Sequence, residues 1–254
     1  MNNIIHVKGV EIGKGVPKIC VSIIGATISQ IRHEAENIKT LEVDVVEWRV
    51  DFFEEVTNLI SIKNALVEIR SILPNIPLLV TFRNAKEGGN RDISTAEYAM
   101  INKEVISSGL VDLVDLELMT EKLIINELIS TAKDNKVVVI ISNHDFEKTP
   151  DEDIMVSRLL KAAELGGNIP KLAVMATSPK DVLALMEATR KVKEDHGIGP
   201  LITMSMGGLG IISRLSGEIF GSALTFGSAK KASAPGQIAV GELKRIINIL
   251  HVNL

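Results

Sequence analysis

The sequence predicts an α/β fold: a (β/α)8 TIM barrel with an N-terminal β-hairpin closing its bottom. Eight short, β-branched apolar runs recur along the chain, and longer segments of helical periodicity lie between them. The 254 residues leave about 32 for each of eight units, enough for a strand, a helix and two loops, and close to the roughly 250 typical of such barrels. Several runs, such as Val137 to Ile141, are continuously apolar, as strands of a parallel sheet covered on both faces must be, whereas an antiparallel sandwich would alternate. The rival is an open doubly wound sheet. It ordinarily carries a Gly-rich turn after its first strand, and Ile24-Gly-Ala-Thr27 does not supply G-x-G-x-x-G.

Val7 to Ile12, followed by Gly13-Lys-Gly15, reads as the hairpin. The strands are expected at 18–24, 43–50, 77–83, 110–118, 137–143, 171–175, 201–204 and 222–226. Between them, Leu59, Ile62, Leu66, Ile69 and Leu73 repeat at helical spacing, as do Leu123, Leu128, Ile129 and Ala132. With no repeat, linker or low-complexity tract, residues 1–254 are expected to form one domain.

Composition narrows the function classes. Lys plus Arg is 28 against 32 Asp plus Glu, a formal net charge of −4, which argues against nucleic acid or an anionic membrane as partner. At 46% hydrophobic and 24% charged residues the chain can bury a large core and is not intrinsically disordered. Aromatic residues, at 3%, are too few for a base-stacking platform. The single cysteine, Cys20, can neither pair within the chain nor join a cysteine metal cluster. The first residues lack a basic segment followed by an apolar run, and no stretch approaches about 18 apolar residues. A cytoplasmic protein is expected.

In a barrel the reactive groups stand where strands end and βα loops begin, and polar residues gather there in nearly every unit. Glu47 and Arg49 end the second strand. Arg83 ends the third, with Glu87 four residues on, and Asp115 and Glu117 end the fourth. Asn143 and His144 end the fifth, Lys171 falls in the sixth, Arg214 follows the seventh, and Ser233 and Gln237 follow the eighth.

Lys171 lies beside Leu172-Ala-Val-Met175. It either points into the barrel or, as the first strand residue, faces water on the bottom rim. A buried neutral lysine attacks ketones and aldehydes to give an imine that acidifies the neighbouring carbon, so no cofactor is required. Holding a lysine of ordinary basicity unprotonated at neutral pH costs about 4.6 kcal/mol; burial and nearby arginines are expected to offset this. His144 stands where a general acid or base belongs, although a strand-end histidine is as often a structural hydrogen-bonder. Glu87, Asp115 and Glu117 could be metal ligands, but one well-placed histidine without H-x-H or H-E-x-x-H spacing argues against zinc. Met206-Gly-Gly-Leu-Gly210 either cradles phosphate or makes a tight turn.

Glu47-Trp-Arg-Val-Asp51, Thr81-Phe-Arg83 with Glu87, Asp115-Leu-Glu117, Ser142-Asn-His-Asp145, Lys171 to Met175 and Ser233-Ala-Pro-Gly-Gln237, in this order, together resemble the type I 3-dehydroquinate dehydratase family over nearly the whole chain. The resemblance implies a (β/α)8 barrel, commonly a homodimer. It implies a lyase without metal or cofactor that dehydrates 3-dehydroquinate to 3-dehydroshikimate in the shikimate pathway of aromatic biosynthesis. Lys171 would form a Schiff base with the ketone, and His144 would act as base and then acid in a syn elimination, oriented by Glu87. Arg214, Ser233 and Gln237 would hold the substrate carboxylate, and Glu47, Arg49 and Arg83 its hydroxyls, with Ser22 a further contact. It also places the lysine inside the barrel and gives the loop after the seventh strand to a carboxylate. A class I aldolase-type lyase would use the same imine lysine to break a carbon–carbon bond.

Overall fold

The computed structural model describes residues 4–229 and 233–254. It opens with an antiparallel hairpin, β1 (Ile5–Val7) and β2 (Val10–Ile12). Lys8 and Gly9 turn it, with φ angles of 44° and 81°, the paired left-handed residues that a tight two-residue turn demands. Strands and helices then alternate: β3 (Lys18–Ile23), α1 (Ile28–Ile38), β4 (Val45–Arg49), α2 (Leu59–Ile72), β5 (Leu78–Thr81), α3 (Thr95–Ser107), β6 (Leu113–Glu117), α4 (Lys122–Asp134), β7 (Val138–Asp145), α5 (Glu152–Glu164), β8 (Ile169–Met175), α6 (Pro179–Glu194), β9 (Ile202–Met206), the short α7 (Ile211–Leu215) and α8 (Gly217–Phe220), β10 (Leu224–Gly227) and α9 (Val240–His251). The eight strands β3 to β10 are parallel, in the order β10-β3-β4-β5-β6-β7-β8-β9. The Leu201–Ser222 bridge joins the two ends of this sheet, with the Ala223 N–H donating to the Leu201 carbonyl at 2.7 Å. This is the expected (β/α)8 barrel, and all eight expected strands are present with ends shifted by a few residues. The sixth begins at Ile169, two residues before the expected start.

Side-chain alternation explains the continuous apolar runs. One inward residue near the start of each strand joins a single buried cluster: Cys20, Val45, Leu79, Leu113, Ile140, Ile169, Ile202 and Leu224. Val7 and Ile12 of the hairpin belong to the same cluster, so the hairpin seals the floor as expected. The outward residues, among them Val21, Val46, Trp48, Val80 and Val114, pack under the helices, and Leu172 and Val174 pack against α5 and α6. One inward step further up, the interior becomes polar in six strands, at Ser22, Glu47, Thr81, Asp115, Ser142 and Lys171. The apolar floor carries the polar layer above it.

The bottom rim is tied by a repeated device. Asp44, Asp112 and Asn168 each immediately precede a strand, and each accepts a backbone N–H from the preceding strand: Ile19 at 2.8 Å, Leu78 at 2.9 Å and Val139 at 2.8 Å. Asp112 also receives Arg70 at 2.7 Å. Asp112→Ala strips the Leu78 N–H of its acceptor and leaves the Arg70 guanidinium only the Leu73, Ile76 and Leu110 carbonyls, so the urea midpoint should fall by the equivalent of about 1–3 kcal/mol with an unchanged slope.

Candidate active site

Lys171 is the third residue of β8, in register between Ser142 of β7 and Ile202 of β9. It is 5% exposed and lies inside the barrel, above the floor rather than on the bottom rim. Its Nζ donates to Asp115 Oδ2 at 2.8 Å and sits 4.8 Å from the centre of the Phe226 ring. Asp115 Oδ1 accepts Arg83 Nη2 at 2.7 Å and Ser142 Oγ at 2.5 Å. Burial alone would push this carboxyl up, but Arg83 and Lys171 reverse the effect and hold it well below the usual range. Lys171 is buried as expected, with Arg49 and Arg83 lining the same cleft, but its direct partner is a carboxylate. Arg83, which shares Asp115 with the lysine, is itself divided: its Nη1 also donates to Glu117 at 3.0 Å and stands 3.6 Å from Glu87.

Glu87 reaches the site from a short 3-10 turn (Ala85–Glu87) after β5. Gly88 (φ 79°) and Gly89 let this turn fold back on itself; a Cβ on Gly89 would lie 1.8 Å from the Arg83 carbonyl oxygen. Glu87 Oε2 accepts the backbone N–H of His144 at 2.9 Å and lies 3.0 Å from His144 Nδ1, while Oε1 accepts Asn143 Nδ2 at 3.0 Å. An ionised Glu87 places the imidazole proton on Nδ1 and leaves Nε2 with a lone pair. Burial, reinforced by Arg83 and Lys171, pushes the His144 pKa well below its usual value, so the ring is neutral at pH 7. Burial raises Glu87 to about 7; Arg83 opposes this rise and Glu117 reinforces it.

A chain of hydrogen bonds borders the other side. Glu47 accepts Ser22 Oγ at 2.5 Å and Thr81 Oγ1 at 2.8 Å. Ser233 Oγ donates to Ser22 at 3.0 Å, and Gln237 Nε2 donates to Ser233 Oγ at 3.0 Å. Arg49 is held by a two-point contact with Asp51, 2.8 Å on each arm, and lies over the Phe52 ring. Arg214 donates to the Pro235 carbonyl at 2.9 Å. Its Nε is buried without a hydrogen-bond partner among the described residues, and burial lowers the guanidinium to about 10.

Eight of the ten expected residues, Lys171, His144, Glu87, Glu47, Arg49, Arg83, Ser233 and Gln237, line one narrow cleft at the top of the barrel. Ser22 and Arg214 stand behind it, joined through Ser233 and Met204. Thr81 and Phe226 also line the cleft and were not singled out as site residues in the sequence. Neither was Asp51, although it lies two residues beyond Arg49. Period-two alternation from His144 would have found Ser142. Of the two alternatives for the loop 206–210, the structure matches the tight turn. A Cβ on Gly210 would meet the Ser205 carbonyl at 2.1 Å, and a Cβ on Gly236 would meet that of Gly207 at 2.5 Å, so the glycines bring two backbones together. Among the described residues, no group of three or more His, Cys, Asp or Glu is placed to hold a metal ion; Asp115 and Glu117 face Lys171, Arg83 and Asn84 instead.

The type I 3-dehydroquinase family model matches residues 19–254. The chain is 52% identical over 254 residues to a 3-dehydroquinate dehydratase of Bacillus licheniformis, with all of both chains covered. It is equally similar, over the same length, to one from Clostridium botulinum. Among solved structures, the type I 3-dehydroquinate dehydratase from Clostridium difficile with covalently modified comenic acid has a TM-score of 0.97 at 51% identity, covering 100% of each chain. That of Geobacillus kaustophilus has a TM-score of 0.96 at 36% identity, covering 99% of each.

The position of Glu87 has a stability consequence. Its carboxyl titrates near 7 in the fold rather than at the ordinary 4.5, so between those values the folded state keeps a proton that the unfolded chain has lost. The stabilising contribution of this group is complete below the lower value and lost as pH rises through the upper one. Relative to Glu87→Gln, the wild type should lose up to about 3 kcal/mol between about pH 5 and about pH 8, read by urea unfolding. A difference that stays constant with pH would contradict the assignment.

Proposed function

Because the chain belongs to the type I 3-dehydroquinase family, a family of hydro-lyases, we propose that it dehydrates 3-dehydroquinate to 3-dehydroshikimate by syn elimination through a Schiff base on Lys171. This is the third step of the shikimate pathway. The observation that carries the reading is the pairing, in one buried cleft, of the Lys171 amine with the neutral His144 that Glu87 orients.

Attack on the ketone needs the Nζ lone pair, so the hydrogen bond to Asp115 must exchange as the carbonyl arrives. The amine adds to the carbonyl carbon, water leaves, and a protonated imine remains. Nε2 of His144 then removes a proton from the carbon beside the imine, and that electron pair moves to the imine nitrogen. The enamine expels the hydroxyl of the next carbon, which takes the same proton back from His144 and departs as water. Hydrolysis of the imine frees the product and Lys171.

The rest of the cleft suits a small polyhydroxylated carboxylate. The buried guanidinium of Arg214, with its unpaired Nε, supplies charge and a donor for the carboxylate behind Ser233 and Gln237. Glu47, Arg49 and Arg83 face the ring hydroxyls, with Ser22 supporting Glu47. The family resemblance supports a cytoplasmic homodimer, with the 1–254 barrel as its unit, that uses no metal or cofactor.

Borohydride added with 3-dehydroquinate should leave a reduced adduct on Lys171, located by mass spectrometry. Lys171→Ala should form no adduct and show no turnover; unchanged turnover would overturn the reading. In contrast, His144→Ala should still form the adduct while kcat falls by roughly 10²- to 10⁴-fold, the usual worth of a positioned acid/base. A near-normal rate in that variant would remove His144 from the chemistry.

A further inference from the structure

Glu87 is held from behind as well as from the cleft. Asn143 alternates with the inward-facing Ser142 and His144 along β7 and is 5% exposed. Its Oδ1 accepts Arg158 Nη1, from α5, at 2.8 Å, and its Nδ2 donates to Glu87 Oε1 at 3.0 Å. A guanidinium has only donors. With Arg158 in place, the amide oxygen must face α5 and the NH₂ must face Glu87. The reversed amide would set NH₂ against guanidinium and oxygen against carboxylate.

We infer that Arg158 is a positioning residue for the His144–Glu87 pair, acting through Asn143 from outside the barrel. The lock presents Glu87 Oε1 with a donor, which an ionised carboxylate accepts more strongly than the neutral acid and which keeps the acid proton off that oxygen. Removing the guanidinium frees the amide to reverse and offer its oxygen to a Glu87 protonated on Oε1, whose remaining carbonyl oxygen Oε2 would hold the Nδ1 proton of His144 more weakly than the carboxylate does. Arg158 itself is about a quarter exposed, with Asp145 Oδ2 at 3.9 Å.

The other charged groups around Glu87 are Arg83 from the end of β5, Glu117 from β6 and His144 from β7. Lys171, Arg49 and Glu47 lie across the cleft, and Lys86, Asp92 and Glu121 lie on the outer side. Arg158 itself pairs with Asn143 and Asp145 rather than with any of these.

The inference rests on the proposed dehydratase chemistry for its kinetic readout. In Arg158→Met the acid limb of kcat/KM should move up by about half to one pH unit, so that the rate at about pH 6 falls roughly three- to tenfold further than at about pH 8. Arg158→Lys, which keeps a cationic donor, should recover most of the shift. Asn143→Asp, which sets a second carboxylate against Glu87, should move the limb further in the same direction. A purely structural role would lower the melting temperature without moving the limb, and superimposable profiles for wild type and Arg158→Met would overturn the inference. A carbon-NMR titration of the Glu87 carboxyl in both proteins reads the same shift without turnover. It keeps this result separate from any failure of the wild type to dehydrate 3-dehydroquinate.

Discussion

The upper half of this barrel depends on one carboxylate. Asp115, fully buried, accepts Lys171 on one oxygen and Arg83 with Ser142 on the other. An isolated charge there would cost several kcal/mol, and an isolated lysine in the same layer would cost as much. Together they are tolerable because each satisfies the other. Arg83 extends the balance to Glu117, and from there to the backbone and side chain of Asn84. The network therefore sets the position of the turn that carries Glu87, and so of the Glu87–His144 pair. The amine, the histidine and the arginines form one electrostatic unit, in which a change at one group is felt by the rest.

Much of this was legible in the sequence, and for a physical reason. Parallel strands covered on both faces must be apolar in both alternating sets, so Val137 to Ile141 declares itself as strand. Charged residues at strand ends have no place in such a core unless they serve a site, which brought out Glu47, Arg83 and His144. β8 begins two residues before the expected start, and Pro170 sits in its second position. A proline lacks the N–H that a central strand ordinarily uses, and so it reads as a boundary. That displacement left the direction of Lys171 open, which the register Ser142–Lys171–Ile202 then fixed.

The less legible parts depend on pairings distant along the chain. Nothing local to Arg158 marks it, because its partner Asn143 lies 15 residues away on another element. Asp115 was visible as a strand-end acid, but its role as the partner of Lys171 appears only when β6 and β8 are brought across the barrel. Asp51 shows the opposite failure. It lies two residues from Arg49, yet a carboxylate beside an arginine is so common on surfaces that spacing alone does not distinguish this buried two-point clamp.

Among the described residues, the hairpin floor makes the interior a vessel that opens at the top. Val7 and Ile12 close the lower end against an inward residue from every strand, so ligand and product must use the same opening. Traffic through it is strictly sequential, with the spent molecule leaving before the next arrives. Any small molecule that lodges beneath Ser233 and Gln237 would thus block entry and exit at once, even without touching the amine.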